Sequence, residues 1–106
     1  MAREKFQTLT EQMFYILLCL RTELCGTDIM ARVTELTQGR VSVGPGTLYN
    51  LLESFVQAGY IIETQVEGQK RSYLITEAGQ KALEDEYRRL RTLAADYEAQ
   101  TGGVDP

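Results

Sequence analysis

The chain has 106 residues, of which 43% are hydrophobic and 25% are charged, as is ordinary for one globular domain. It contains no histidine, so the commonest metal ligand and the commonest general base are both missing. We therefore expect no metal, no cofactor and no enzymatic activity, since no nucleophile–base pair or phosphate-binding loop is evident either. The formal net charge of −4 counts against nucleic-acid binding, although a local basic patch can outweigh the total charge.

No apolar run reaches the length of about 18 residues that a membrane span needs, and the N-terminal sequence has no signal-peptide core. We expect a cytoplasmic protein that does not bind membranes and whose two cysteines are reduced. Cys19 falls within an apolar helix and is predicted to pack there, whereas Cys25 falls in a turn. A redox-sensing pair of thiols is the alternative.

The first predicted helix begins at a capping box, in which Thr8 and Glu11 satisfy free backbone amides. It is apolar on nearly all sides, which predicts burial of more than one face. A protomer of this size rarely surrounds a helix, so we expect a partner subunit to cover part of it. Its apolar residues are Met13, Phe14, Ile16, Leu17, Leu18 and Leu20.

A turn at residues 25–27 precedes the second helix, in which Ile29, Val33 and Leu36 form one buried stripe at helical spacing. Gly39 is placed to end that helix in a left-handed conformation. Residues 40–43 then form a short extended piece.

The glycine–proline–glycine break at residues 44–46 starts the third helix, since proline favours the first helical positions. Its predicted buried stripe consists of Leu48, Leu51, Leu52, Phe55 and Val56. Its other face is mostly polar and carries Thr47, Tyr49, Asn50, Glu53, Ser54 and Gln57. Residues 61–67 and 70–75 are predicted to be two β-strands, joined by a tight turn at Gly68 and Gln69.

Thr76 is predicted to cap a long last helix over residues 77–100, with an acidic residue at its positive end. Pairs of opposite charge, Glu84 with Arg88 and Asp85 with Arg89, support its exposed face. A heptad seam on this helix predicts pairing with a second copy of the chain. The seam residues are Leu83, Tyr87, Leu90, Ala94 and Tyr97.

The order of these elements predicts a mainly α fold with a small β-hairpin, namely a winged helix-turn-helix followed by a long C-terminal dimerisation helix. We assign residues 1–76 to the winged-helix domain, residues 77–100 to the dimerisation helix and residues 101–106 to a disordered tail. In this fold the third helix enters the major groove of DNA, while the hairpin contacts the backbone beside it.

Seven residues are the candidates for contact with double-stranded DNA. Asn50 is suited to pair with an adenine edge, and Thr47 and Ser54 are suited to bond bases or phosphates. The candidates for the phosphate backbone are Tyr49, the wing residues Lys70 and Arg71, and Arg40 ahead of the third helix. Each also has a structural interpretation, because a polar helix face is often only solvated and basic residues beside a turn protect strand edges.

The stretch from residue 40 to residue 76 has no net charge, which predicts modest non-specific affinity for DNA. Its three bases are balanced by three acids, namely Arg40, Lys70 and Arg71 against Glu53, Glu63 and Glu67. Binding should therefore depend on two copies acting together, with recognition helices about 34 Å apart.

Three segments of the sequence resemble the signatures of PadR-type transcriptional regulators, in that family's order and spacing. They are LTEQMFYIL at residues 9–17, VGPGTLYNLL at residues 43–52 and RSYLITEAG at residues 71–79. The resemblance covers roughly residues 9–90. One departure is that the family commonly has His-Gly-Tyr before the second helix, whereas this chain has Cys25, Gly26 and Thr27.

The resemblance implies a homodimeric repressor of the family's short branch, which has a single C-terminal helix. It implies that Tyr49 contacts the DNA backbone and that Arg71 is the wing arginine. Some short members bind planar hydrophobic drugs between their subunits, so a small hydrophobic effector is a candidate partner. Such a cavity would be lined by Phe14, Tyr15, Tyr87 and Tyr97, unless these four residues simply form the dimer core. The proposed dimer interface comprises Phe14, Leu17, Leu83, Tyr87, Leu90, Ala94 and Tyr97.

A second hypothesis is a winged-helix module that binds other proteins and has lost its affinity for DNA. The net negative charge favours it, whereas Tyr49, Lys70 and Arg71 favour the repressor.

Overall fold

Four helices and a three-stranded antiparallel sheet make up the computed structural model, which describes residues 8–68 and 70–103. The elements in chain order are α1 Glu11–Cys19, β1 Leu24–Cys25, α2 Gly26–Leu36, α3 Pro45–Ala58, β2 Ile61–Glu67, β3 Lys70–Ile75 and α4 Glu77–Thr101. The predicted mainly α fold with a hairpin is thus present. No helix in the described ranges is long and apolar enough to cross a lipid bilayer.

The sheet contains one strand that the sequence did not predict. The two-residue strand β1 pairs with β3, aligning Leu24 with Tyr73 and Cys25 with Ser72, so that β3 lies between β1 and β2. Cys25 therefore lies in a strand and not in the predicted turn, and residues 40–43 form no strand. A strand of two residues is too short to show alternation, and its position depends on a partner almost 50 residues away in the sequence.

The N-terminal cap of α1 lies two residues later than predicted. Thr10, not Thr8, is the N-cap residue, and its hydroxyl accepts a hydrogen bond from the backbone N–H of Met13 at 3.2 Å. The Met13 sulfur completes the box by accepting the backbone N–H of Thr10 at 3.3 Å. The sequence prediction failed because it required a carboxylate at a position that a thioether fills.

The protomer buries most of α1 by itself and leaves Phe14, Tyr15 and Leu18 half-buried. The expectation that a partner subunit covers part of this helix stays a prediction. Leu17 is fully buried and Leu83 is 4% exposed, so both belong to the protomer's own core and not to a dimer surface. Two members of predicted buried stripes are instead exposed, because Leu36 and Val56 lie at the edges of their helical faces. The largest fully buried side chains are Phe55, Ile16, Leu17, Leu20, Ile29, Leu48, Leu52 and Ile61.

The loop between α2 and α3 is organised around Thr37, a buried polar residue that sequence reasoning missed. Its hydroxyl donates to the carbonyl of Val33 at 2.9 Å and accepts the backbone N–H of Val41 at 3.1 Å. Gly39 has the expected left-handed conformation, with φ of 83°, although α2 itself ends at Leu36. These bonds fix the approach of the chain to α3.

The end of α3 is joined closely to the start of α4. The backbone N–H of Thr76 donates to the carbonyl of Tyr60 at 2.9 Å, and the Thr76 hydroxyl donates to the carbonyl of Gly59 at 2.6 Å. Thr76 also caps α4 as predicted, by accepting the backbone N–H of Gly79 at 3.1 Å. Gly79 lies against the Tyr60 carbonyl so closely that a Cβ there would collide with the carbonyl oxygen.

Helix α4 runs one residue further than predicted, to Thr101, and Gly102 ends it with φ of 82°. Residues 104–106 of the predicted disordered tail lie outside the described residues. Of the predicted charge pairs, Arg88 pairs with Glu84 at 3.8 Å, but Arg89 pairs with Glu86 and not with Asp85. Asp85 pairs instead with Lys81, and their hydrogen bond lowers the pKa of Asp85.

Candidate nucleic-acid interface

The polar face of α3 points into solvent because the opposite face is anchored in the core. Leu48, Leu52 and Phe55 are at most 1% exposed and hold the helix in place. Thr47 and Asn50 are exposed on the other face, so they are accessible to a DNA groove. Further candidates are Tyr49, which is 45% exposed, and Ser54, which is half-buried.

A groove of about 370 Å³ brings together three of the residues that the sequence assigned to the phosphate backbone. Tyr49 comes from α3, while Lys70 and Arg71 come from the first two positions of β3. The remaining lining residues are Cys25, Gly26 and Thr27, at the junction of β1 and α2. The pairing of β1 with β3 creates this groove, because it fixes the start of α2 beside the wing.

A second groove, of about 360 Å³, lies between α3 and the wing and shares Tyr49 and Arg71 with the first. Here the Arg71 Nη1 atom donates to the Glu63 Oε2 atom at 2.9 Å. Nearby, burial raises the pKa of Tyr73, and the charge of Glu63 raises it further. A DNA phosphate that approached Arg71 would therefore compete with a carboxylate of the same chain. No sequence pattern pointed to Glu63, because its partner lies on the neighbouring strand.

Arg40 does not join this group. It borders a separate depression of about 440 Å³ between the start of α1 and the loop ahead of α3. Gln12 stabilises that region by donating to the carbonyl of Ser42 at 3.1 Å. Glu11 also lines this depression, whereas the wing cations Lys70 and Arg71 do not.

The outer face of α4 carries an exposed apolar stripe, defined by Tyr87, Leu90, Leu93, Ala94 and Tyr97. These side chains, apart from the small Ala94, are between 41% and 53% exposed. Leu93 was missed by sequence reasoning because it lies beside the heptad seam, directly before Ala94, where it widens the apolar stripe. Arg91 covers one end of the stripe, since its guanidinium lies 5.9 Å from the centre of the Tyr87 ring.

A depression of about 340 Å³ separates the start of α1 from α4. Phe14 and Tyr15 line it, with their rings edge to face at a centroid distance of 5.7 Å. Glu86, Arg89 and Leu90 line the α4 side. Tyr87 and Tyr97, which the sequence also assigned to an effector cavity, are not among the described residues that line this depression. The four aromatic residues therefore do not converge within one protomer.

The comparisons with known proteins agree with this architecture. The family model of the transcriptional regulator PadR-like family matches residues 16–85. A transcriptional regulator from Clostridium thermocellum has a TM-score of 0.72 at 17% identity, over 86% of this chain and 92% of that one. RosR from H. salinarum has a TM-score of 0.64 at 23% identity, over 89% and 97%. These two likenesses show the fold.

The structure of Bacillus subtilis PadR in complex with operator DNA is 28% identical, with a TM-score of 0.60. The match covers 68% of this chain and 44% of that one, so this chain spans less than half of that PadR. No curated protein matches the sequence.

Proposed function

The chain belongs to the PadR-like family of transcriptional regulators, and on this premise we propose that it is a homodimeric repressor that binds operator DNA in the cytoplasm. The observation that carries the proposal is the convergence of Tyr49, Lys70 and Arg71 on one groove beside the polar face of α3. A hydroxyl and two cations in that position suit the phosphate backbone, while the helix beside them suits the major groove.

We assign different tasks to the two kinds of side chain. Asn50, with Thr47 and Ser54 beside it, reads base edges, because amide and hydroxyl groups match the donor and acceptor pattern of the major groove. Tyr49 and the wing cations Lys70 and Arg71 hold the backbone and contribute affinity without sequence choice. Arg40 contacts the backbone separately, from the loop ahead of α3.

Dimerisation through the apolar stripe of α4 accompanies this function. The stripe exposes four large apolar side chains at heptad spacing, which is typical of a helix that packs against a second copy. A dimer doubles the phosphate contacts of an interface that has no net charge. It also presents two recognition helices to successive turns of DNA, about 34 Å apart.

A small hydrophobic effector that relieves repression would bind beside this stripe. The depression lined by Phe14 and Tyr15 opens next to Leu90 of the stripe. A ligand there would touch both α1 and the proposed dimer surface, and could therefore change how the two subunits are held.

The first test is a mobility-shift titration with DNA from the protein's own upstream region, alongside a random duplex of equal length. Asn50→Ala should cost about 1–3 kcal/mol for the preferred site and much less for random DNA. Lys70→Ala should weaken both complexes alike and reduce the slope of log affinity against log salt by about 1 for each phosphate that is no longer neutralised. Both positions are exposed, so the melting temperature should stay nearly constant.

The second candidate function is a winged-helix module that binds another protein. It is favoured by the net charge of −4 and by the pairing of Arg71 with Glu63. A folded dimer that binds the upstream region only weakly, and no differently after either substitution, would replace the repressor by this module.

A further inference from the structure

Gly26, the first residue of α2, lies directly against the hydroxyl end of the Tyr49 side chain. A Cβ built on Gly26 would collide with the Tyr49 hydroxyl oxygen and would lie 2.7 Å from Cζ and 3.0 Å from Cε1. Such separations are well below van der Waals contact, so the ring can occupy its place only because residue 26 has no side chain. Gly26 itself is buried, while Tyr49 is 45% exposed.

The collision would involve only the far end of the tyrosine. All three of the atoms named above belong to the hydroxyl end of the Tyr49 side chain. Because Tyr49 is 45% exposed, its ring is able to swing away into solvent without disturbing the core. A side chain at residue 26 would therefore move the hydroxyl while costing the fold little.

The place that the hydroxyl occupies is the groove with Lys70 and Arg71. Two of the groove's sides are fixed independently of Tyr49, because the register of β1 with β3 places residue 25 opposite residue 72. The absence of a side chain at residue 26 thus decides whether the hydroxyl lies with the two cations or away from them.

We propose that Gly26 is a positioning residue for DNA binding, which holds the Tyr49 hydroxyl in line with the wing cations so that all three meet one stretch of phosphate backbone. The proposal rests on the proposed function, because it assigns the groove to DNA. Gly26 has no side chain with which to contact DNA, so it acts only through the position of the Tyr49 hydroxyl.

The test is a double-mutant cycle between residues 26 and 49, measured by fluorescence anisotropy with a labelled duplex of the upstream region. Gly26→Ala should weaken binding by a factor similar to that of Tyr49→Phe, on the order of 10-fold for a dimer. In a Tyr49→Ala background the same Gly26→Ala change should have no further effect, because the ring it displaces is gone. Thermal unfolding of Gly26→Ala should match that of the wild type.

An equal loss of affinity in both backgrounds would overturn the proposal, since Gly26 would then act without Tyr49. A second measurement does not involve DNA. Nuclear Overhauser effects between the Tyr49 ring protons and the α-protons of Gly26 should be present in the wild type, and the ring signals should shift in Gly26→Ala. Their absence in the wild type would also overturn the inference. A wild-type protein that shows these contacts but binds no duplex would contradict the repressor function alone.

Discussion

Glu86 is a carboxylate on α4 that is only 5% exposed, and it joins the segment ahead of α1 to α4. It accepts the backbone N–H of Leu9 at 3.2 Å and hydrogen bonds from the guanidinium of Arg89. The bond from Arg89 holds the pKa of Glu86 below the ordinary value, with a smaller contribution from Leu9, while burial opposes both. The arrangement therefore stabilises the folded chain only while the carboxylate is ionised.

We expect Glu86 to make stability depend on pH. Because its pKa is lower in the folded state, its contribution is complete above the unfolded pKa and disappears as the pH falls through the folded pKa. Glu86→Gln should lower the free energy of unfolding at neutral pH by about 1–3 kcal/mol, as measured by urea denaturation. The difference in stability between Glu86→Gln and the wild type should narrow as the pH falls below the ordinary pKa of a glutamate. A gap that is constant with pH would show that packing, and not charge, makes the contribution.

Cys19 is 5% exposed in α1, and burial raises the pKa of its thiol, with the charge of Arg32 opposing that effect. A protonated, buried thiol is a poor nucleophile. We expect Cys19 to react with a disulfide reagent far more slowly in buffer than in urea, and Cys19→Ala to cost about 1–2 kcal/mol of stability. Loss of a DNA-binding response to oxidant in that variant would instead favour the redox interpretation.

At the scale of elements, we expect the wing residue Glu63 to compete with DNA phosphates for Arg71. The ion pair between Arg71 and Glu63 joins β3 to β2, so a phosphate that binds this guanidinium would compete with Glu63. We expect Glu63→Gln to tighten binding to a random duplex by roughly two- to fivefold per protomer, the range of exposed ion pairs. Anisotropy titrations at several salt concentrations would measure this change.

Glu98→Gln is the control, since it removes the same charge from an exposed position on α4, away from the wing. If general repulsion of DNA were the cause, this variant would tighten binding as much as Glu63→Gln does. The gain should also vanish when Glu63→Gln is combined with Arg71→Ala, because the released cation is then missing.

Gly79, near the start of α4, packs against the backbone of Tyr60, which follows α3. A Cβ on Gly79 would lie 2.9 Å from the carbonyl carbon of Tyr60, besides colliding with its oxygen. Backbone cannot swing away as the Tyr49 ring can, so Gly79→Ala should destabilise the fold by about 2–4 kcal/mol. Urea denaturation checks this value, and a stability equal to that of the wild type would show that the joint is loose.

The elements that the sequence predicted well are those with a local signal. The wing strands were placed with correct bounds, because β-rich segments flank a glycine turn, and α3 follows from its apolar spacing. Strand β1 depends on a distant partner, so local patterns missed it. The Thr10 cap is local, and it was missed because the Met13 sulfur takes the place of the carboxylate that the capping-box pattern requires. The same distinction between local signals and distant partners applies to the residues of the candidate site. Tyr49, Lys70 and Arg71 were assigned from their elements, whereas Glu63 and the role of Gly26 appear only when distant segments meet.

At the scale of the whole molecule, the described chain is an elongated body of 54 × 39 × 21 Å. The core residues are buried within the protomer, yet α4 keeps four large apolar side chains exposed on one stripe. An apolar stripe of this kind on an otherwise charged helix is typical of a contact surface.

We expect Leu90→Glu to separate the proposed dimer without unfolding the protomer. Leu90 is 41% exposed in the protomer, so a carboxylate is tolerated there, but in a packed seam an unpaired charge costs several kcal/mol. Sedimentation should show a monomer, with the circular dichroism of the wild type. Thr92→Glu places the same charge on an exposed part of α4 outside the stripe and should leave the association unchanged. A dimer in both variants would show that the subunits meet elsewhere.

The short bonds from Thr76 to Gly59 and Tyr60 give α4 the properties of a lever. Helix α4 is about 37 Å long, so tilting its axis by a few degrees displaces one end relative to the other by a few ångströms. Because the start of α4 is bonded to the two residues that follow α3, we expect a tilt of α4 to change the orientation of α3 as well. In the proposed dimer, a change in the angle between the two α4 helices would therefore change the distance between the two α3 helices along DNA.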